Sequence, residues 1–109
     1  MNRIRLAILG CTGSVGRQAL DIVERLPDRF EVVALVAGRD ADGLAAQVAR
    51  HAPKLAGLAA LDEHPDFPAG PGLLVDAATH PDVDCVLNAV VGSRGLTPTL
   101  AALEAGNRA

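Results

Sequence analysis

Near the amino end an apolar run, Leu6-Ala7-Ile8-Leu9, passes without a spacer into Gly10-Cys11-Thr12-Gly13-Ser14-Val15-Gly16, and an amphipathic run from Gln18 to Leu26 follows. A strand that meets three glycines at three-residue intervals and then turns helical has few ways to fold. Gly10 supplies the positive backbone angle that a sharp turn off a strand needs. Gly13 omits the Cβ that would keep an anion from the backbone, and Gly16 lets the helix pack close to the strand. The first helical N–H groups have no intrahelical acceptor, and the aligned peptide dipoles add positive potential at the same end. The loop therefore reads as a phosphate cradle, and the pyrophosphate of a dinucleotide is its expected guest.

The rest of the chain repeats this grammar. Phe30 to Ala37 is a mostly apolar run rich in β-branched residues, which predicts a parallel strand buried on both faces. Leu44, Ala45, Val48, Ala49 and Ala52 recur at helical spacing until Pro53 stops them. Leu55 to Leu61, interrupted by Gly57, suits a third strand, and residues 63–72, with three prolines and two glycines, are expected to be irregular. Leu73 to Asp76 is expected to pair briefly as a strand. Asp84 to Val91 reads as a buried strand, Gly92 to Gly95 as a turn, and Leu96 to Ala105 as a helix that Gly106 ends. The alternation predicts one α/β domain over residues 1–109, a Rossmann-like doubly wound parallel sheet with its ligand beyond the carboxyl ends of the strands. The sheet is expected to be truncated after the helix that follows the fourth main strand, because another strand would begin where Asn107-Arg108-Ala109 closes the sequence.

Composition narrows the partners. Thirteen acidic and ten basic side chains give a formal charge of -3, and the arginines are scattered along the chain, so no nucleic-acid partner is expected. No apolar run approaches the roughly 20 residues needed to span a bilayer, and the strand pattern starts at Ile4, so the chain reads as cytoplasmic, with no membrane partner. Cys11 and Cys85 have neither a Cys-x-x-Cys spacing nor a histidine neighbour, and no disulfide or metal site is expected of them. Cys11 reads as loop filling, with a redox-sensitive thiol as the alternative. His51, His64 and His80 lie beside or one residue from prolines, where solvated turn residues are expected, and none reads as a catalytic base.

The end of the second strand decides between coenzymes. In a dinucleotide fold it lies beside the adenosine ribose, where a carboxylate accepts from a 2'-hydroxyl and repels a 2'-phosphate. Here the position reads Ala37-Gly38-Arg39-Asp40. The permanent charge and planar fork of Arg39 suit a phosphate, which favours NADPH over NADH. Asp40 argues the other way unless its task is to cap the helix beginning near Ala41. Arg17 reads as an exposed helix residue.

Gly10 to Gly16, Val32 to Arg39, and above all Asn88-Ala-Val-Val-Gly-Ser-Arg-Gly-Leu-Thr-Pro-Thr-Leu-Ala-Ala-Leu-Glu-Ala-Gly106 resemble the N-terminal NADPH-binding domain of the 1-deoxy-D-xylulose 5-phosphate reductoisomerase family. The resemblance implies an NADPH-dependent oxidoreductase of the non-mevalonate isoprenoid pathway. In that family a divalent metal (Mg or Mn) holds a ketose phosphate, its skeleton rearranges, and hydride reduces the product to 2-C-methyl-D-erythritol 4-phosphate. Carried over by position, Thr12, Gly13, Ser14 and Val15 match the pyrophosphate loop, and Gly38 with Arg39 matches the 2'-phosphate contact; Gly10 and Asp40 complete the cofactor-binding positions expected here. Asp40 stands where the family usually has asparagine. Ala89 to Gly92 match a strand end near the cofactor.

The resemblance also implies that the family's Leu-Ala-Asn-Lys-Glu segment would begin right after Ala109, with the metal and substrate-phosphate ligands beyond it. The full-length enzymes are expected to be homodimers. No catalytic or metal-binding residue is assigned within these 109 positions, and the chain alone is expected to lack turnover. Extended short-chain dehydrogenases share the loop but need a tyrosine, which this chain lacks, and semialdehyde dehydrogenases need a cysteine nucleophile with a base beside it. A dinucleotide-binding module without chemistry of its own is the alternative function.

Overall fold

The apolar runs become four parallel strands, β1 (Ile4–Leu9), β2 (Phe30–Ala37), β3 (Leu55–Leu58) and β4 (Cys85–Asn88), ordered β3-β2-β1-β4 across one sheet. Three helices join them: α1 (Ser14–Arg25), α2 (Ala41–His51) and α3 (Gly72–Ala78). This computed structural model describes residues 3–89. The expected end of the fourth strand at Val91, the turn at Gly92 to Gly95 and the helix from Leu96 to Ala105 lie outside the described residues.

The chain steps outward from β1 to β3, then returns past β1 to β4. Right-handed crossovers on a sheet that reverses in this way must lie on opposite faces. Accordingly, Ala19, Leu20, Ile22 and Val23 of α1 and Leu44 of α2 share one core with Leu6, Ile8 and Leu35. Leu73 and Ala77 of α3 share another with Ala7, Leu9, Ala34 and Val36. The reversal falls between β2 and β4, on either side of β1, so the glycine loop leaves the sheet at its topological switch point.

Strand β2 contains an irregularity that its uniform apolarity conceals. Leu6 pairs with Val32 but Ala7 pairs with Ala34, so Val33 is an extra residue, a β-bulge. Before it, Phe30 and Val32 face the α1/α2 core; after it, Leu35 and Ala37 do, and the even-numbered Ala34 and Val36 turn to α3. The carbonyl of Val33 accepts from Lys54 N at 2.8 Å, which ties the bulge to the start of β3.

Leu73 to Asp76 does not pair as a strand; it lies inside α3. Leu73 and Ala77 stand four residues apart and are both buried, which is helical spacing, and the small Ala7 and Ala34 side chains on that face leave room for a helix. The glycine that interrupts β3 belongs to the same packing. A Cβ on Gly57 would meet Pro68 O at 2.9 Å and run into the Leu73 side chain. Residues 68–70 are stitched to β3 by Leu58 N donating to Pro68 O at 2.9 Å and Gly70 N donating to Leu58 O at 3.1 Å. At the far end of the sheet, Asp84 accepts from Arg5 N, Nε and Nη2 at 3.0 to 3.2 Å and holds the start of β4 to β1.

Candidate functional site

The glycine loop is hung from β2. Gly10 N and Cys11 N both donate to Val36 O, at 2.7 and 3.1 Å, and Gly10 has a φ of 80°, the left-handed turn that a side chain would strain. Gly16 is fixed by packing: a Cβ there would stand 2.6 Å from Cys11 Cα and 2.8 Å from Cys11 C, both main-chain atoms. Gly13 is under neither constraint. Its φ of -74° is open to any residue, and a Cβ would meet only Gly10 O at an ordinary 3.5 Å. Nothing among the described residues requires glycine at 13, and the residue is exposed.

Gly13 is also the N-cap of α1, and no side chain caps that helix. Ser14 is already the first helical residue, so its hydroxyl does not stand at the cap. Gly13 N donates to Gly10 O at 3.2 Å and Arg17 N to Gly13 O at 2.9 Å, whereas the N–H groups of Thr12, Ser14 and Val15 have no acceptor among the described residues. Gly13 and Ser14 are exposed and Thr12 and Val15 half-buried, so these donors lie near the surface at the positive end of a twelve-residue helix. Such an arrangement is an anion receptor built from main chain.

The second arm lies beside it. Gly38 and Arg39 leave β2 at the same end of the sheet, and Gly38 O accepts from Ala60 N at 3.0 Å. The Arg39 side chain is exposed and has no ion-pair partner among the described residues, unlike Arg3, Arg5, Arg17, Arg25 and Arg50, each of which faces a carboxylate. Asp40 is committed elsewhere. Its Oδ1 accepts from Gly43 N at 2.9 Å as the N-cap of α2, and its Oδ2 lies 3.6 Å from Arg17 Nη2. A carboxylate engaged on both oxygens has little acceptor capacity left for a ribose 2'-hydroxyl.

Cys11 is the loop filler expected. It is fully buried, and burial pushes its thiol up to about 12, which leaves almost no nucleophilic thiolate at neutral pH. The Nδ1 atoms of His64 and His80 accept from Asp66 N and Asp82 N, each at 3.1 Å, as turn residues do. His51 departs from the expectation: it is the last residue of α2, and its side chain, 11% exposed, faces Glu24 of α1. Among the described residues no cluster of three or more His, Cys, Asp or Glu side chains could hold a metal, and no helix is long and apolar enough to cross a membrane.

One contact to the loop escaped the periodicity argument. Gln47 Nε2 of α2 donates to Cys11 O at 2.8 Å. The signal was present: Gln47 stands three residues after buried Leu44 and beside Val48, a polar residue on the stripe where the helix meets the core.

Comparison with known proteins extends beyond this geometry. The profile of the family described as 1-deoxy-D-xylulose 5-phosphate reductoisomerase matches residues 6–109. The reductoisomerase of Symbiobacterium thermophilum is 47% identical over 93% of this chain and 30% of its own length. That of Anaeromyxobacter sp. is 47% identical over 94% of this chain and 29% of its own. The chain therefore spans less than a third of the length of these curated relatives.

Among solved structures, the enzyme from Zymomonas mobilis in complex with NADPH superimposes with a TM-score of 0.75 at 34% identity, covering 97% of this chain and 31% of that one. A DOX-P reductoisomerase in complex with NADPH, fosmidomycin and magnesium gives 0.72 at 33% identity, covering 96% and 29%. Glycine loops of this kind occur in many nucleotide folds, but a match that continues through every element to residue 109 does not rest on the loop; it places this chain in the 1-deoxy-D-xylulose 5-phosphate reductoisomerase family.

Proposed function

We propose that this chain is the NADPH-binding portion of an enzyme that converts 1-deoxy-D-xylulose 5-phosphate to 2-C-methyl-D-erythritol 4-phosphate. The observation that carries the reading is the pairing of two positive features at one end of the sheet that have no partner among the described residues: the amides of Thr12, Ser14 and Val15, and the guanidinium of Arg39. In this reading the amides hold the pyrophosphate, and Gly13 admits it to the backbone. Gly10 shapes the turn, Gly38 lets the chain leave β2 without a side chain, and Arg39 takes the 2'-phosphate. Asp40 keeps α2 in register beside that contact. NADPH supplies the hydride when bound; the chain's own residues bind and orient it.

The relatives' structures contain magnesium as well, and no residues described in this chain fit that ion. Metal and substrate chemistry are therefore not assigned to these residues. With less than a third of the relatives' length, the 109-residue chain by itself is proposed to bind coenzyme without turnover.

Thermal melting tests the reading, since a ligand selective for the folded state stabilises it by about 2.7 kcal/mol at a hundred times its dissociation constant. For a domain of this size that amounts to roughly 10 °C or more. NADPH is expected to raise the melting temperature more than NADH at equal concentration, and Arg39→Met to abolish the difference. Equal shifts with the two coenzymes, or none with NADPH, would overturn it.

A further inference from the structure

We infer that Gln47 is a positioning residue for the pyrophosphate loop, acting through the peptide plane between Cys11 and Thr12. The inference rests on the NADPH reading above and assigns a residue that the reading does not use. In a trans peptide the carbonyl and the next N–H lie in one plane and point in opposite directions. Gln47 Nε2 grips Cys11 O at 2.8 Å from the α2 side. Fixing that carbonyl toward α2 therefore fixes the Thr12 N–H away from it, and this N–H is one of those with no acceptor among the described residues.

The neighbouring peptides are held by other means, since Gly10 N and Cys11 N are tied to Val36 O and Gly13 N to Gly10 O. Gln47 thus holds a plane of the turn that no main-chain bond among the described residues holds. The amide can face only one way, because the flipped orientation would set its oxygen against the Cys11 oxygen. Its Oε1 is buried without a partner among the described residues, so the bond to the loop is the polar contact that this half-buried side chain makes there. An amide that leaves its own acceptor unsatisfied is a poor device for stability, and its service is to hold the loop in shape.

The same residue belongs to the helix that Asp40 caps. Gln47 consequently links the element that begins at the 2'-phosphate arm to the loop that holds the pyrophosphate, and it does so without touching the coenzyme.

The test compares three ligands on the 109-residue protein: NADPH, NADH, and adenosine 2'-monophosphate, which carries the 2'-phosphate but no pyrophosphate. Gln47→Met keeps the length and removes the donor. It is expected to weaken NADPH and NADH alike by about fivefold, the worth of one hydrogen bond, and to leave adenosine 2'-monophosphate unchanged. Gln47→Glu, which sets a carboxylate oxygen against the Cys11 carbonyl, is expected to show the same selectivity with a larger loss and serves if the first variant does not fold. Arg39→Met gives the converse pattern, with NADPH and adenosine 2'-monophosphate weakened and NADH spared. Unchanged NADPH affinity in both Gln47 variants, or equal loss of all three ligands, overturns the inference while the wild type still binds. A folded wild type that binds none of the three overturns the NADPH reading, and this inference with it.

Discussion

Three glycines share one loop for three different reasons, and replacing each by alanine separates them. At position 16 the new Cβ would lie 2.6 and 2.8 Å from main-chain atoms of Cys11, where about 3.4 Å is needed, and those atoms cannot yield because Gly10 N and Cys11 N are both bonded to Val36 O. Overpacking against immovable atoms costs about 3 kcal/mol, and alanine returns up to about 1 kcal/mol of helix propensity. The net loss for Gly16→Ala is about 2 kcal/mol, or roughly 10 °C in melting temperature for a domain of this size. Gly10→Ala places a Cβ at a φ of 80° and is expected to cost about 1 to 2 kcal/mol.

Gly13→Ala meets only Gly10 O at 3.5 Å with a φ of -74°. Its stability is expected to remain within about 1 kcal/mol of wild type, with the poorer N-cap offset by a stiffer unfolded chain, whereas NADPH affinity falls tenfold or more. The chain has no Trp or Tyr, so unfolding is followed by circular dichroism in urea and binding by the coenzyme's own fluorescence. The reasoning fails if Gly13→Ala loses as much stability as Gly16→Ala, or if it binds NADPH as wild type does.

Other outcomes follow from the same geometry. Asparagine can still cap α2, so Asp40→Asn is expected to leave the urea midpoint unchanged and to raise NADPH affinity about threefold by removing one exposed charge; a titration that shows weaker binding contradicts this. Cys11 is fully buried with its thiol pushed up to about 12, so mass spectrometry after iodoacetamide treatment at neutral pH is expected to show it unlabelled in the native protein and labelled in urea. The bond from Lys54 Nζ, at 2.6 Å, holds the Asp82 carboxyl below its ordinary 3.8. A lowered folded-state pKa contributes stability above that ordinary value and loses it as pH falls through the lowered one. The gap in urea midpoint between wild type and Asp82→Asn is therefore expected to hold above the ordinary value and to close as pH falls below it, and a gap independent of pH would refute the assignment.

The parts of the fold that repetition encodes were legible before any coordinates. Glycines at 10, 13 and 16 between an apolar run and an amphipathic one fix a strand, a turn and a helix, because each glycine answers a local demand. The four strands and α2 follow from runs of the right length. What periodicity could not show depends on partners distant in sequence. Leu73 to Asp76 is too short a stretch for its period to decide, and it is helical because small residues on β1 and β2 make room for it. Val33 is an extra residue only by reference to β1, and a run apolar on both faces carries no alternation to betray it. Gln47 matters through an atom 36 positions away. The nearby proline suggests a turn at His51, but the helix runs up to it and lays it against α1.

The bulge at Val33 has a consequence for anyone editing this strand. Because side chains alternate with strict parity, the odd residue works like a half-step in a gear train: the α1/α2 side is met by even-numbered residues of β2 before it and by odd-numbered ones after it. Deleting Val33 would straighten the ladder and leave Leu35 and Ala37 on their present side, whereas pairing the full run in unbroken alternation would send them through the sheet to the side shaped for Ala34 and Val36. Only the extra residue itself can be lost there without inverting the second half of the strand.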